Sequence, residues 1–288
     1  MFKRQRSGSV VCPSCGSLVG VNDATCYTCG RWRPGLWGFS NVIRNLGYDL
    51  GFVQFIMVVT IGLYVATLLV SGSVGMGSMT EFLAPDRYAL FAFGASGALP
   101  VFSAGRWWTP LSAGWLHGGL LHIFFNMLWV RQLAPEAAEL FGVGRTVIVY
   151  TVSSIVGFTA SSVMGVLLAG VPIIGGAHLT VGASAPIFGL LGALVCYGRR
   201  TGSSYIGSTA WQYAVVMFLL TFFWGSVDNW AHAGGFAGGY LATLWLDPSR
   251  RERPDHLLWA LVCLAATCAA VGWSLVTGWQ YLRFAGTG

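Results

Sequence analysis

A chain of 288 residues with 55% hydrophobic and only 9% charged residues cannot cover itself with charge as a water-soluble fold does, since soluble domains carry about 25% charged residues. Its net charge of +6 does not call for nucleic acid, because the distribution of Lys and Arg between apolar runs has a membrane explanation. The 40 glycines show no collagen-like period and fall largely inside apolar runs, which suits helices packed closely in lipid.

The start, MFKRQRSG, is basic but no apolar run follows it directly, so no cleavable signal peptide is predicted. Two pairs follow, CPSCG and CYTCG, with ten residues between Cys15 and Cys26. Cys12, Cys15, Cys26 and Cys29 thus have the spacing of two zinc knuckles, in which four thiolates close a tetrahedron around one Zn2+ ion. Disulfides, free thiols or a rubredoxin-like iron site are the competing readings; a reducing cytoplasmic side disfavours disulfides. A four-cysteine site has no open coordination position, so residues 1–33 are predicted to form a structural zinc-ribbon-like module that serves folding or the recognition of a cytoplasmic protein partner and does not catalyse. Residues 34–51 read as a linker.

Seven apolar runs of roughly membrane-spanning length come next, near 52–71, 118–135, 146–170, 182–198, 210–226, 230–246 and 257–277, where about 20 residues span a hydrocarbon core. They predict an all-α polytopic domain over 52–277, with a short tail at 278–288. With the N-terminus in the cytoplasm, thirteen Lys and Arg fall on one side, among them Lys3, Arg44, Arg145, Arg199, Arg250 and Arg251. Only Arg87, Arg106 and Arg283 fall on the other. This positive-inside asymmetry places the C-terminus opposite the N-terminus. The connection 72–117, rich in tryptophan, reads as a structured and partly embedded outer loop. Cys196, Cys263 and Cys268 read as small buried residues.

Ionisable groups at bilayer depth are costly and therefore informative. Ser184 lies fifteen residues before Arg199, and His232 fifteen before Asp247, so both reach about 22 Å above the same boundary at about 1.5 Å per residue. A hydroxyl becomes a nucleophile when a base takes its proton, and neutral imidazole is suited to that task. Ser184 and His232 supply that minimum pair, and no carboxylate stands in place to extend it to a triad. His122 and Asn126, four residues apart on one helix face, are candidate oxyanion donors together with the Ser184 backbone N–H. Phe188, one turn after Ser184, is a candidate platform for the His232 ring. Gly182 flanks the serine, and Gly189, Gly192, Gly235 and Gly239 would let two helices approach closely. His117 is read as bonding loop backbone, His178 and His256 as solvated, and Asp228 and Asn229 as helix caps. Taken singly, Ser184 could bond its own helix carbonyls, and His122 and Asn126 could be interhelical glue.

The segments WLHGGLLHIFFNMLW, GASAPIFG and AHAGGFAGG, in this order and spacing, resemble the rhomboid intramembrane serine proteases. The resemblance implies a six-helix core plus a seventh C-terminal helix, Ser184 as nucleophile and His232 as general base, and an oxyanion site of His122, Asn126 and the Ser184 amide. It implies transmembrane protein substrates within the lipid bilayer and no cofactor for catalysis. Three positions depart from the family pattern: Ala185 where Gly is frequent, Phe188 where Tyr is, and Thr109 after Trp108 where Arg is common. A non-proteolytic rhomboid-like escort of membrane helices is the alternative, and the presence of both Ser184 and His232 favours the protease. A channel or carrier is a third reading, disfavoured by the shortage of intramembrane carboxylates.

Overall fold

A computed structural model describes residues 4–13, 15–40, 50–77, 81–171, 174–222, 227–248 and 252–284. Of the positions named above, Lys3, Arg44, Arg250, Arg251, the linker stretch 41–49, the end of the fifth apolar run at 223–226 and the tail after 284 lie outside the described residues. The chain divides into two compact units, Met1–Phe52 and Val53–Gly288.

In the first unit, strands β1 (Ser9–Val11) and β2 (Leu18–Gly20) pair antiparallel, with Val10 opposite Val19. Val10, Val19, Val21, Cys12 and Cys26 make its small core, too little apolar burial to hold a fold of this size without a cross-link. A helical turn at Leu36–Gly38 is tied back to the start of the chain: Gln5 N–H donates to Gly38 O at 2.9 Å, and Arg4 Nε to Trp37 O at 2.8 Å.

The second unit is helical. Its α-helices are α1 (Phe52–Val70), α2 (Arg87–Phe93), α3 (Thr109–Ser112), α4 (Leu120–Phe141), α5 (Val143–Leu167), α6 (Ser184–Thr201), α7 (Ser204–Phe222), α8 (Asn229–Leu246) and α9 (Pro254–Gly278), and a short antiparallel strand pair, Val74–Gly75 with Ala84–Pro85, lies between α1 and α2. The seven long ones fall on the seven apolar runs and form the six-helix core with its seventh C-terminal helix. By length and composition α1, α5, α7 and α9 are apolar enough to cross a membrane. The more polar α4, α6 and α8 need protein around them: every residue of α6 from Ala185 to Cys196 is buried. The exposed faces of α1, α7 and α9 instead carry Val58, Leu69, Leu220, Leu261 and Val276, surface that lipid solvates.

Helix α4 continues through Pro135 to Phe141, past the end at 135 that its apolar run predicts. The chain then turns on one residue, Gly142, whose φ of 88° is open to glycine.

Helices α6 and α8 run parallel and touch backbone to backbone. A Cβ at Gly235 would run into the Ala185 carbonyl, and one at Gly239 into the Gly189 carbonyl. The contact thus repeats every four residues along both helices, a seam that only glycine on α8 permits. Helix α5 closes the third side, where Phe158 joins Ala113, Ala185 and Ala231 in a buried cluster.

The connection between α1 and α4 is folded over its described residues, as the sequence predicts. The buried Arg106 guanidinium donates to the carbonyls of Phe91 and Ala92 and, at 2.8 Å, to that of Ser274 on α9. The Trp108 indole N–H donates to Ser274 Oγ at 2.9 Å, and the Thr109 hydroxyl to Arg106 O at 2.9 Å. The arginine therefore stands before the tryptophans and pins the loop from there, while Thr109 closes the turn.

Candidate active site

One end of α6 and α8 is anchored by charge. Arg200 pairs with Asp247 at 3.4 Å, and Ser184 and His232 lie sixteen and fifteen residues from this pair along their parallel helices. At about 1.5 Å per residue, both stand roughly 23 Å from it, at the same level.

The loop that delivers Ser184 is held from several directions. Thr180 and Ser96 exchange backbone hydrogen bonds of 2.8 and 3.0 Å, Gly182 N–H donates to Ala113 O at 3.0 Å, and Ala183 N–H donates to His117 Nε2 at 3.4 Å. Buried His117 is thus a fastener for this loop. Ser184 opens α6, with Pro186 two residues later in the first turn, where a missing N–H costs nothing.

Gly182 has φ 137°, a backbone conformation closed to other residues, and its bare α-carbon leaves a gap. A Cβ there would lie 2.6 Å from His122 Nε2 and 3.6 Å from Ser184 Oγ. The hydroxyl and the imidazole nitrogen therefore face one small space. His122 Nδ1 accepts the Gly118 N–H at 3.4 Å, which assigns the proton of a neutral ring to Nε2, on the side of that space. The Asn126 amide donates to His122 O at 2.9 Å within α4, so one of its two hydrogens is held along the helix and the other is free of that bond. The rings of His117 and His122 meet edge to face at 5.0 Å.

His232, 2% exposed, stacks on Phe188 with ring centroids 4.3 Å apart and planes 14° from parallel. Phe218 of α7 packs edge-on against the same Phe188 ring at 6.5 Å. Helix side chains tilt toward the N-terminus, so the Phe188 ring, and His232 on it, lie at the Ser184 turn. Among the described residues no hydrogen bond joins Ser184 Oγ to His232; such bonds are often long before substrate binds. Asp228 caps α8, accepting the Ala231 N–H at 3.0 Å, and takes the Ser161 hydroxyl at 2.5 Å. His178 is exposed.

Sequence reasoning passed over Thr221, whose Oγ1 lies 3.5 Å from His232 Nδ1. A threonine inside a helix ordinarily bonds its own helix, so the sequence carries no signal for it.

In the first unit the sulfurs of Cys12, Cys15, Cys26 and Cys29 all lie within 4.8 Å of one another. Two of the edges measure 3.8 and 3.6 Å. Tetrahedral coordination with bonds of about 2.3 Å has edges of about 3.8 Å, so the set fits one ion. The knuckles repeat each other: Gly16 N–H returns to Cys12 O at 3.0 Å and Gly30 N–H to Cys26 O at 2.8 Å. The Ser17 hydroxyl and amide lower the pKa of the Cys15 thiol to about 6, while burial and the neighbouring sulfurs raise that of Cys29 to about 11, the split that crowding of like charges produces.

The family model described as Rhomboid domain matches residues 104–248, half of the chain. The chain is 29% identical over 180 residues to the rhomboid protease GluP of Bacillus subtilis (strain 168), covering 61% of this chain and 33% of that protein. It is 31% identical over 166 residues to RHOMBOID-like protein 7 of Arabidopsis thaliana, covering 55% and 49%. With Rhomboid-like protease 3 of Toxoplasma gondii it shares 24% over 237 residues, covering 80% and 82%. The chain therefore spans between a third and half of the length of the first two relatives.

Proposed function

This chain belongs to the rhomboid family of integral, multi-pass membrane proteins, and on that premise we propose that it is an intramembrane serine endopeptidase working through Ser184 and His232. The observation that carries the reading is the gap before Gly182, faced by Ser184 Oγ and His122 Nε2, with His232 stacked at the same turn. Ser184 Oγ attacks the scissile carbonyl of a membrane-embedded segment while His232 takes its proton. The resulting oxyanion enters the gap and receives hydrogen bonds from His122 Nε2–H, the Ser184 backbone N–H and the second Asn126 amide hydrogen. His232 then protonates the leaving amine, and water, activated by the same imidazole, releases the acyl group.

Proteoliposomes of the purified protein are expected to cut a single-span test substrate into two fragments. Capture of the intact substrate without fragments would identify the escort protein instead. His122→Ala is expected to lower kcat by about 10²-fold with KM nearly unchanged, because the lost donor acts on the transition state. Steady-state kinetics in detergent checks this, and an unaltered kcat would remove His122 from the oxyanion site.

The Lys and Arg asymmetry supports a cytoplasmic N-terminus and a C-terminus across the membrane. The four-cysteine module then sits on the reducing side, holding a structural Zn2+, and its exposed Tyr27 and Trp32 offer contacts to a cytoplasmic protein. Metal analysis should give one zinc per chain. Chelation should change the fluorescence of Trp32 and Trp37, whose rings meet at 5.5 Å, and leave proteolysis standing. A chain purified without metal and with an unchanged spectrum on zinc addition would contradict this assignment.

A further inference from the structure

We infer that the Thr221 hydroxyl positions His232, holding its proton on Nδ1 so that Nε2 is the bare nitrogen that acts as base. The inference rests on the protease reading above and adds a residue to it. Thr221 stands in the last turn of α7, and its Oγ1 lies 3.5 Å from Nδ1 of His232 on α8. The same oxygen is 2.8 Å from Met217 O and 3.1 Å from Phe218 O, both acceptors. A hydroxyl has one hydrogen. Directed at the α7 backbone, it leaves only lone pairs toward the imidazole, so Nδ1 must be the donor. A neutral imidazole has one N–H, and Nε2 is then an acceptor.

The packing around the ring cannot supply this selection. Phe188 fixes the plane of His232 at 14°, but a hydrocarbon face does not distinguish a ring from the same ring flipped about its axis, nor one tautomer from the other. The nearby carboxylate does not do it either, because Asp228 is engaged by the Ala231 N–H and the Ser161 hydroxyl. Thr201, Thr243 and Thr267 make the same bond to their own helices, and among the described residues Thr221 alone has an imidazole nitrogen in reach as well. The polar partner that other serine hydrolases take from a carboxylate is here a neutral hydroxyl, whose burial in an apolar bundle costs less.

Two readouts test this. In protein carrying 15N-labelled histidine, the His232 resonances should report the Nδ1–H tautomer, and Thr221→Val should convert them to a mixture. In kinetics, Thr221→Val should lower kcat by about tenfold without raising KM, and Thr221→Ser should recover most of the loss. A dominant Nε2–H tautomer in the unaltered protein, or a Thr221→Val variant with unreduced kcat, would overturn the inference. So would a serine variant as slow as the valine one, since packing and not the hydroxyl would then matter. Should the unaltered protein cut no substrate, the protease reading fails by itself, and the resonances still decide whether the bond exists. Should Thr221→Val fail to fold, the tautomer of the unaltered protein and the serine variant decide.

Discussion

Ser184→Ala is expected to lower cleavage of a membrane-anchored substrate by about 10⁴-fold or more, and His232→Ala by a similar factor. The alcohol forms the bond to the substrate carbonyl, and without the imidazole it attacks as a neutral hydroxyl, a weak nucleophile. The two act as one unit, so the double variant should be no slower than either single one. Stability should separate the roles. The half-buried Ser184 side chain makes no hydrogen bond to a described residue, and its alanine variant should unfold within about 0.5 kcal/mol of the parent. His232→Ala empties the space on the Phe188 ring and should cost about 1–3 kcal/mol. Rate losses that simply multiplied in the double variant would mean that the two residues contribute independently.

The second large effect is expected at the glycine seam. In Gly239→Val the new Cβ meets the Gly189 carbonyl, and its branches find no room, so α6 and α8 must separate along their shared length. The cost should be about 3 kcal/mol or more, at the upper end of overpacking, and the separation moves His232 away from Ser184. Loss of the folded protein on heating at a lower temperature, together with loss of activity, is the expected pair of observations. Gly62→Ala on α1 is the matched control. Nothing lies within 4 Å of a Cβ at that site, and alanine there should be neutral or should stabilise by up to about 1 kcal/mol through helix propensity. Equal melting of Gly239→Val and the parent would mean that the helices do not touch as described.

The sequence was informative about whatever depends on period, length and depth. Runs of apolar residues marked all seven long helices, and counting along the fourth and sixth runs from Arg199 and Asp247 put Ser184 and His232 at one level, which the Arg200–Asp247 pair now anchors. Helix ends were less legible: the second apolar run ends at 135, yet α4 passes through Pro135 to Phe141 because the neighbouring packed helices supply the order that a lone segment lacks. Side-chain direction was not legible at all. That the space before Gly182 is shared by His122 and Ser184 follows from a left-handed φ and a loop fastened to Ala113 and His117. Thr109 drew attention as a departure, whereas the bonding that pins the loop between α1 and α4 came from Arg106, three residues earlier. Thr221 gave no sign, because its partner is chosen by how α7 and α8 meet and not by any local pattern.

Whether Ser184 is a nucleophile activated by His232 is decided by mass spectrometry of the protein after reaction with a fluorophosphonate, with peptides mapped to the modified residue. One adduct is expected, on Ser184 Oγ, formed much more slowly in His232→Ala. An adduct confined to another residue, or labelling of Ser184 at an undiminished rate without His232, would contradict it.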